Sequence, residues 1–374
     1  MASPRPLSEV IEGAPQCGEL PKEEQHLKKS ACLALGSGVD RGGTNSRNAA
    51  AATYFWGDAP DEEGYFGAHG VRGTRRFYTS PRGVSLFTRS WLPAHLPPRA
   101  VICMIHGYGN DISWTFQSTA VFLAGSGFAC FALDLPGHGL SQGLRAFVPD
   151  VDAVADDCLA FFDSPAVDRD DLRALPRFLY GESMGGALCL LMHLRRRGSA
   201  AWAGAVLVAP MCKISESIRP RWPVPQILTF LARFAPTLAV VPTADLVDKS
   251  VKVPEKRAVA GRNPLRYAGK PRLGTVVELL RVTDYIHSRL PEVTLPFIVL
   301  HGSADVVTDP SVSRTLYETA ASGDKTIRIY EGMMHSLLFG EPDENIAVVR
   351  GHILGWLSGR CGGKIHPTHG EGDG

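Results

Sequence analysis

The sequence predicts an α/β fold: a mostly parallel central sheet, helices on both faces, and a helical cap insertion. Three observations carry that expectation. From about residue 74, short β-rich runs alternate with helical stretches, the pattern of a parallel sheet with crossover helices. Ala100–Ile105 and Gly127–Asp134 are continuously apolar, as strands buried on both faces must be. Residues 212–290 then carry eight prolines and no strand series, so they interrupt the alternation as an insertion between two core strands.

Taken in order, Arg75–Tyr78 and Val84–Trp91 read as strands around the turn Ser80-Pro81-Arg82-Gly83. The strands Ala100–Ile105 and Gly127–Asp134 follow, the second ending in the loop Leu135-Pro136-Gly137-His138-Gly139. Asp150–Phe162 is helical, because Val151, Val154, Ala155, Cys158 and Phe161 form one stripe. Arg177–Tyr180, Ala203–Ala209, Pro296–His301 and Thr326–Tyr330 read as strands; Gly185–Arg197 and Asn345–Leu357 read as helices. Arg195, Arg196 and Arg197 finish the first of these helices, where solvated cations offset the helix dipole.

The composition suits one large domain. Of 374 residues, 44% are apolar and 21% charged, and the net charge of +1 provides no global field for nucleic acid. Eight cysteines are scattered without a CxxC pair, which fits a reducing compartment rather than a disulfide framework. The apolar runs are all too short to cross a bilayer. Residues 1–60 hold six Lys/Arg and seven Asp/Glu, too acidic for a transit peptide, so a cytoplasmic location is expected over the chloroplast. The domain expectation is a disordered extension over 1–60, a folded domain over 61–358 and a flexible tail over 359–374.

Phe178-Leu179-Tyr180 runs into Gly181-Glu182-Ser183-Met184-Gly185-Gly186 and then an apolar helix, so G-x-S-x-G stands in a strand–turn–helix context. That context makes Ser183 a candidate nucleophile on the sharp turn of an α/β-hydrolase fold. A serine needs a base, and this fold supplies acid and histidine in that order from loops after later strands. Asp305 follows Phe297–Leu300, and His335 follows Thr326–Tyr330. Asp309, just before Pro310, reads instead as the cap of the next helix. His335 thus acts as base then acid, held by Asp305. Oxyanion donors are expected at the N–H groups of Met184 and of Tyr108, in the loop after Ala100–Ile105. In that loop Gly107 permits a tight turn and His106 braces it. His106 and Asp111 also match the H-x-x-x-x-D pattern of acyltransferases, a short string that the oxyanion loop already explains. No cofactor or metal is called for.

The longer strings are more specific. Tyr54-Phe55-Trp56-Gly57-Asp58, HGYGNDISWTFQ from His106, DLPGHGLSQG from Asp134, GESMGG from Gly181 and GSADVVTDP from Gly302 resemble the monoacylglycerol lipase-like branch of the α/β-hydrolases, especially its plant members. The resemblance covers roughly residues 53–358; the extension before it is not a family requirement. It implies the same triad of Ser183, Asp305 and His335, the oxyanion donors Tyr108 and Met184, and a cap over 212–290. It also implies hydrolysis of monoacylglycerol or lysophospholipid, with caffeoylshikimate-type phenylpropanoid esters as the alternative. A non-hydrolytic small-ligand receptor is the alternative from another class, but it would have no need of an intact triad. In the cap, Ile227, Phe230, Leu231 and Phe234 recur at helical spacing. This stripe either packs on the core or, as the resemblance implies, lines an acyl tunnel or makes peripheral membrane contact.

Overall fold

The computed structural model describes residues 59, 61–196, 202–214, 222–240 and 246–361. The expected disorder of residues 1–60, bar Ala59, and most of the expected tail lie outside them. Eight strands form one sheet in the order β1-β2-β4-β3-β5-β6-β7-β8. They are β1 (Val71–Thr79), β2 (Ser85–Pro93), β3 (Val101–Ile105), β4 (Ala129–Leu133), β5 (Arg177–Glu182), β6 (Gly204–Val208), β7 (Phe297–Gly302) and β8 (Lys325–Tyr330). The pairs β1–β2 and β2–β4 are antiparallel, and every other pair is parallel.

Every residue of β3 is inaccessible, so both sheet faces are covered. Against one face pack α3 (Val151–Phe162), α4 (Met184–Arg195), α8 (Leu273–Ser288) and α9 (Pro310–Thr319), whose apolar residues share a core with Val101, Cys103, Leu179 and Val299. Against the other pack α2 (Trp114–Gly125) and α10 (Asp343–Ser358): the Phe116 ring meets Tyr180 at 6.1 Å and the Trp356 ring meets Phe178 at 5.9 Å. Between β6 and β7 the described residues hold α5 (Val224–Ala232), α6 (Leu246–Ser250), α7 (Pro254–Gly261) and α8, with no strand.

Three departures from the sequence expectation have physical causes. β1 is more than twice the expected length, because an edge strand need not alternate apolar residues: Arg72 through Phe77 are all exposed. Helix α1 (Glu62–Ala68) was not expected; Asp61 caps it, and Glu62 bonds the buried Arg89 on β2 at 2.6 Å. Instead of facing only solvent, Arg195 bonds Asp152 and Asp156, and Arg196 pairs with Asp163. Arg360 lies 4.0 Å from the Trp356 ring and pairs with Asp324.

The cap stripe does not pack on the core. Ile227, Phe230, Leu231 and Phe234 are 50%, 59%, 47% and 76% exposed, and α5 buries no residue. None of the four lines the large cavity described below. Among the described residues, no helix is long and apolar enough to cross a membrane.

Candidate active site

Ser183 sits between β5 and α4 with φ +53°. A non-glycine residue held there stores about 1–3 kcal/mol of strain, which only a rigid surround maintains. The surround is tight. A Cβ on Gly185 would lie 2.2 Å from the Ile105 carbonyl, and one on Gly181 would lie 2.4 Å from the Gly185 backbone. The Ser183 N–H donates to Val208 O at 2.9 Å, fixing the turn to β6. The N-terminal end of α4, with its partial positive charge, thus lies directly at the serine.

Asp305 follows β7, and its carboxylate is fully buried. Oδ1 accepts the N–H groups of Val307 and Thr308 at 2.7 and 3.0 Å. Oδ2 accepts the Thr308 hydroxyl at 2.9 Å and lies 2.6 Å from His335 Nδ1 and 3.1 Å from His301 Nε2. Burial alone would raise this carboxyl, but hydrogen bonds from the two histidines hold it far below the usual carboxylate range. Because Nδ1 of His335 is engaged by Asp305, Nε2 is the ring nitrogen left for the cavity that His335 and Ser183 both line. Asp309 bonds the Ser311 N–H and caps α9.

The loop after β3 passes against the serine turn. A Cβ on Gly107 would lie 3.3 Å from Ser183 Cβ and 3.9 Å from its Oγ. Tyr108 follows, tied by its hydroxyl to Ala146 O at 3.0 Å, and Met184 opens α4. Both nitrogens of His106 are occupied: Nδ1 donates to Gly107 O at 2.7 Å, and Nε2 accepts the Leu135 N–H at 3.0 Å. Asp111 is inaccessible and accepts from Ser113 and from Asn263 Nδ2 at 2.6 Å. The H-x-x-x-x-D pair is therefore engaged in holding loops together.

The adjoining Asp134 loop supports this arrangement. Asp134 accepts the N–H groups of Ile112 and Leu140, each at 2.8 Å, and burial beside Asp111 pushes its carboxyl up to about 8. Gly139 (φ +48°) must be glycine, since a Cβ there would meet the Asp134 carboxylate at 2.1 Å. Burial pushes His106 down to about 4 and His138 down to about 3. Each binds a proton in the unfolded chain from about pH 6.5 downward but not in the folded one, so each subtracts stability as pH falls through that window. Asp134, raised, acts in the opposite sense and subtracts stability as pH rises from about 4 to 8. Removing one histidine isolates its share. In urea unfolding between pH 4 and 6.5, His138→Asn is expected to flatten the dependence by about 1.4 kcal/mol per pH unit relative to wild type. An unchanged slope would show that His138 is not held neutral.

A cavity of about 410 Å³ opens above these groups. Its apolar wall includes Leu246, Val247, Val251, Val276 and Leu279, all from the β6–β7 interval. Its polar wall includes Asn110, Thr115, Thr119 and Glu182, from the loop after β3, α2 and the end of β5. Ser183, Asp305 and His335 stand at the strand ends where the sequence places them, and His301, Thr308 and Glu182 join them without a sequence-derived role. The four-residue separation of His301 and Asp305 at the end of a strand was the available signal.

The serine aminopeptidase, S33, family model matches residues 96–343. The chain is 42% identical to a caffeoylshikimate esterase of Arabidopsis thaliana over 84% of this chain and 95% of that one. It is 34% identical to the human monoglyceride lipase, over 74% of this chain and 88% of that one. Among solved structures, it superposes on a soluble variant of monoglyceride lipase from Saccharomyces cerevisiae in complex with a substrate analogue. That match has a TM-score of 0.67 and 21% identity over 76% of this chain and 94% of that one. A monoacylglycerol lipase of Paleococcus ferrophilus gives a TM-score of 0.62 at 22% identity over 77% and 99%. The fold is that of the α/β-hydrolases.

Proposed function

This chain belongs to the serine aminopeptidase S33 family and is a serine ester hydrolase; on that premise we propose that Ser183, His335 and Asp305 carry its reaction. The observation that supports this is a serine on a strained strand-to-helix turn, sharing a cavity with a histidine whose Nδ1 is held by a buried carboxylate. Ser183 Oγ attacks the ester carbonyl while His335 Nε2 takes its proton. The N–H groups of Met184 and Tyr108 receive the oxyanion. Collapse expels the alcohol, which takes the proton from His335 and leaves an acyl-serine. Water, deprotonated by His335, then releases the acid and restores Ser183.

For the substrate we infer a lipid ester, monoacylglycerol or lysophospholipid. The apolar wall of the cavity supports an acyl chain, and the exposed Trp222, Ile227, Phe230 and Phe234 support peripheral contact with a lipid surface by the cap. A caffeoylshikimate-type ester is the second reading, favoured by the 42% identity to the plant esterase. A reducing, cytoplasmic location belongs to the same proposal, supported by five buried cysteines that remain unpaired. Side-by-side turnover of monoacylglycerol, lysophosphatidylcholine and caffeoylshikimate tests the substrate. The first two are expected to lead, and a preference for the last above about 100-fold in kcat/KM overturns the lipid reading. In the same assay Phe230→Ser/Phe234→Ser should slow turnover of vesicle-borne monoacylglycerol more than of a soluble short-chain one. An equal effect on both removes the membrane role.

A further inference from the structure

Glu182 occupies the variable position between Gly181 and Ser183 and is one of the residues that line the cavity. Its surroundings are built from hydroxyls. Oε1 accepts the hydroxyl of the fully buried Tyr180 at 2.5 Å, and Tyr180 in turn is hydrogen-bonded by Thr119. This chain fixes the rotamer of Glu182 and leaves Oε2 without a partner among the described residues. Asn110, Thr115 and Thr119 complete the polar wall. An ester has one apolar and one polar half, and the cavity is divided in the same way.

We propose that Glu182 recognises the alcohol half of the ester. Its unpartnered oxygen hydrogen-bonds a hydroxyl on the carbon next to the ester-bearing carbon, so the enzyme selects esters of vicinal polyols over esters of simple alcohols. The proposal rests on Ser183 being the nucleophile, since adjacency to Ser183 brings Glu182 within reach of the leaving group. Burial raises the Glu182 carboxyl above its ordinary range, with Tyr180 and the nearby His335 pulling the other way. A carboxyl oxygen accepts from a neutral hydroxyl, which suits a polyol. A side chain serving only to brace the strand has no need of an unpartnered carboxyl oxygen on a cavity wall.

The test compares kcat/KM for monobutyrin and methyl butyrate, which share an acyl group and differ only in the alcohol. Wild type is expected to prefer monobutyrin by about 10- to 100-fold. Glu182→Leu brings the ratio close to one, Tyr180→Phe lowers it by about threefold, and Glu182→Gln, which still bonds a hydroxyl, keeps most of it. Glu182→Met serves if the leucine variant does not fold. A wild-type ratio near one overturns the proposal, as does an apolar variant in which both esters slow equally. Failure of the hydrolase reading looks different: wild type would turn over neither ester, and a fluorophosphonate would not label it.

Discussion

Ser183→Ala is expected to lower kcat on the order of 10⁶-fold while leaving thermal unfolding nearly unchanged. Removing Oγ deletes the only atom that forms the acyl bond, so the residual rate is that of water in an oriented site. The backbone that holds residue 183 at φ +53° is kept by its neighbours: the glycine contacts with the β3 loop and the Ser183 N–H bond to Val208. None of these uses the hydroxyl. Turnover of a chromogenic butyrate ester, with a melting curve on the same sample, reads both halves. Activity within tenfold of wild type would falsify the assignment.

Asp305→Asn should cost about 10⁴-fold in kcat. The carboxylate accepts five donors from His335, His301, Thr308 and the backbone of Val307 and Thr308, and an amide cannot accept them all. An Asn NH₂ group facing the histidines would drive His335 to the tautomer with its proton on Nε2, the nitrogen that must receive the serine proton. If the NH₂ turned the other way, it would oppose two backbone N–H groups and leave them unsatisfied in a buried site. The first orientation leaves every backbone donor paired and disarms the base without emptying the cavity, so KM should change far less than kcat. A loss below about tenfold would mean that another group orients His335.

Both predictions concern residues that were visible in the sequence, and the reason is geometrical. In a parallel sheet every strand delivers its following loop to the same edge, so position after a strand is nearly position in space. Ser183, Asp305 and His335 were legible because each follows a short apolar or β-rich run. His301 and Thr308 were not, because what they do depends on the turn by which the chain after β7 folds back to surround one carboxylate. Neither was Glu182, whose proposed role depends on the Tyr180 hydroxyl, itself bonded by Thr119 from α2, turning onto its carboxylate. Helix α2 is not legible in the sequence because Phe116, Gln117, Ser118, Thr119, Ala120 and Val121 are all buried, which leaves no exposed polar face to set a period. The α5 stripe had a clear period but two meanings, and periodicity alone cannot say whether an apolar face meets a core or lies bare.

The most direct measurement treats wild type and Ser183→Ala with a fluorophosphonate probe and maps the adduct by peptide mass spectrometry. One covalent adduct is expected, on Ser183, and none in the alanine variant. An unlabelled wild type, or equal labelling of the two proteins, would contradict it.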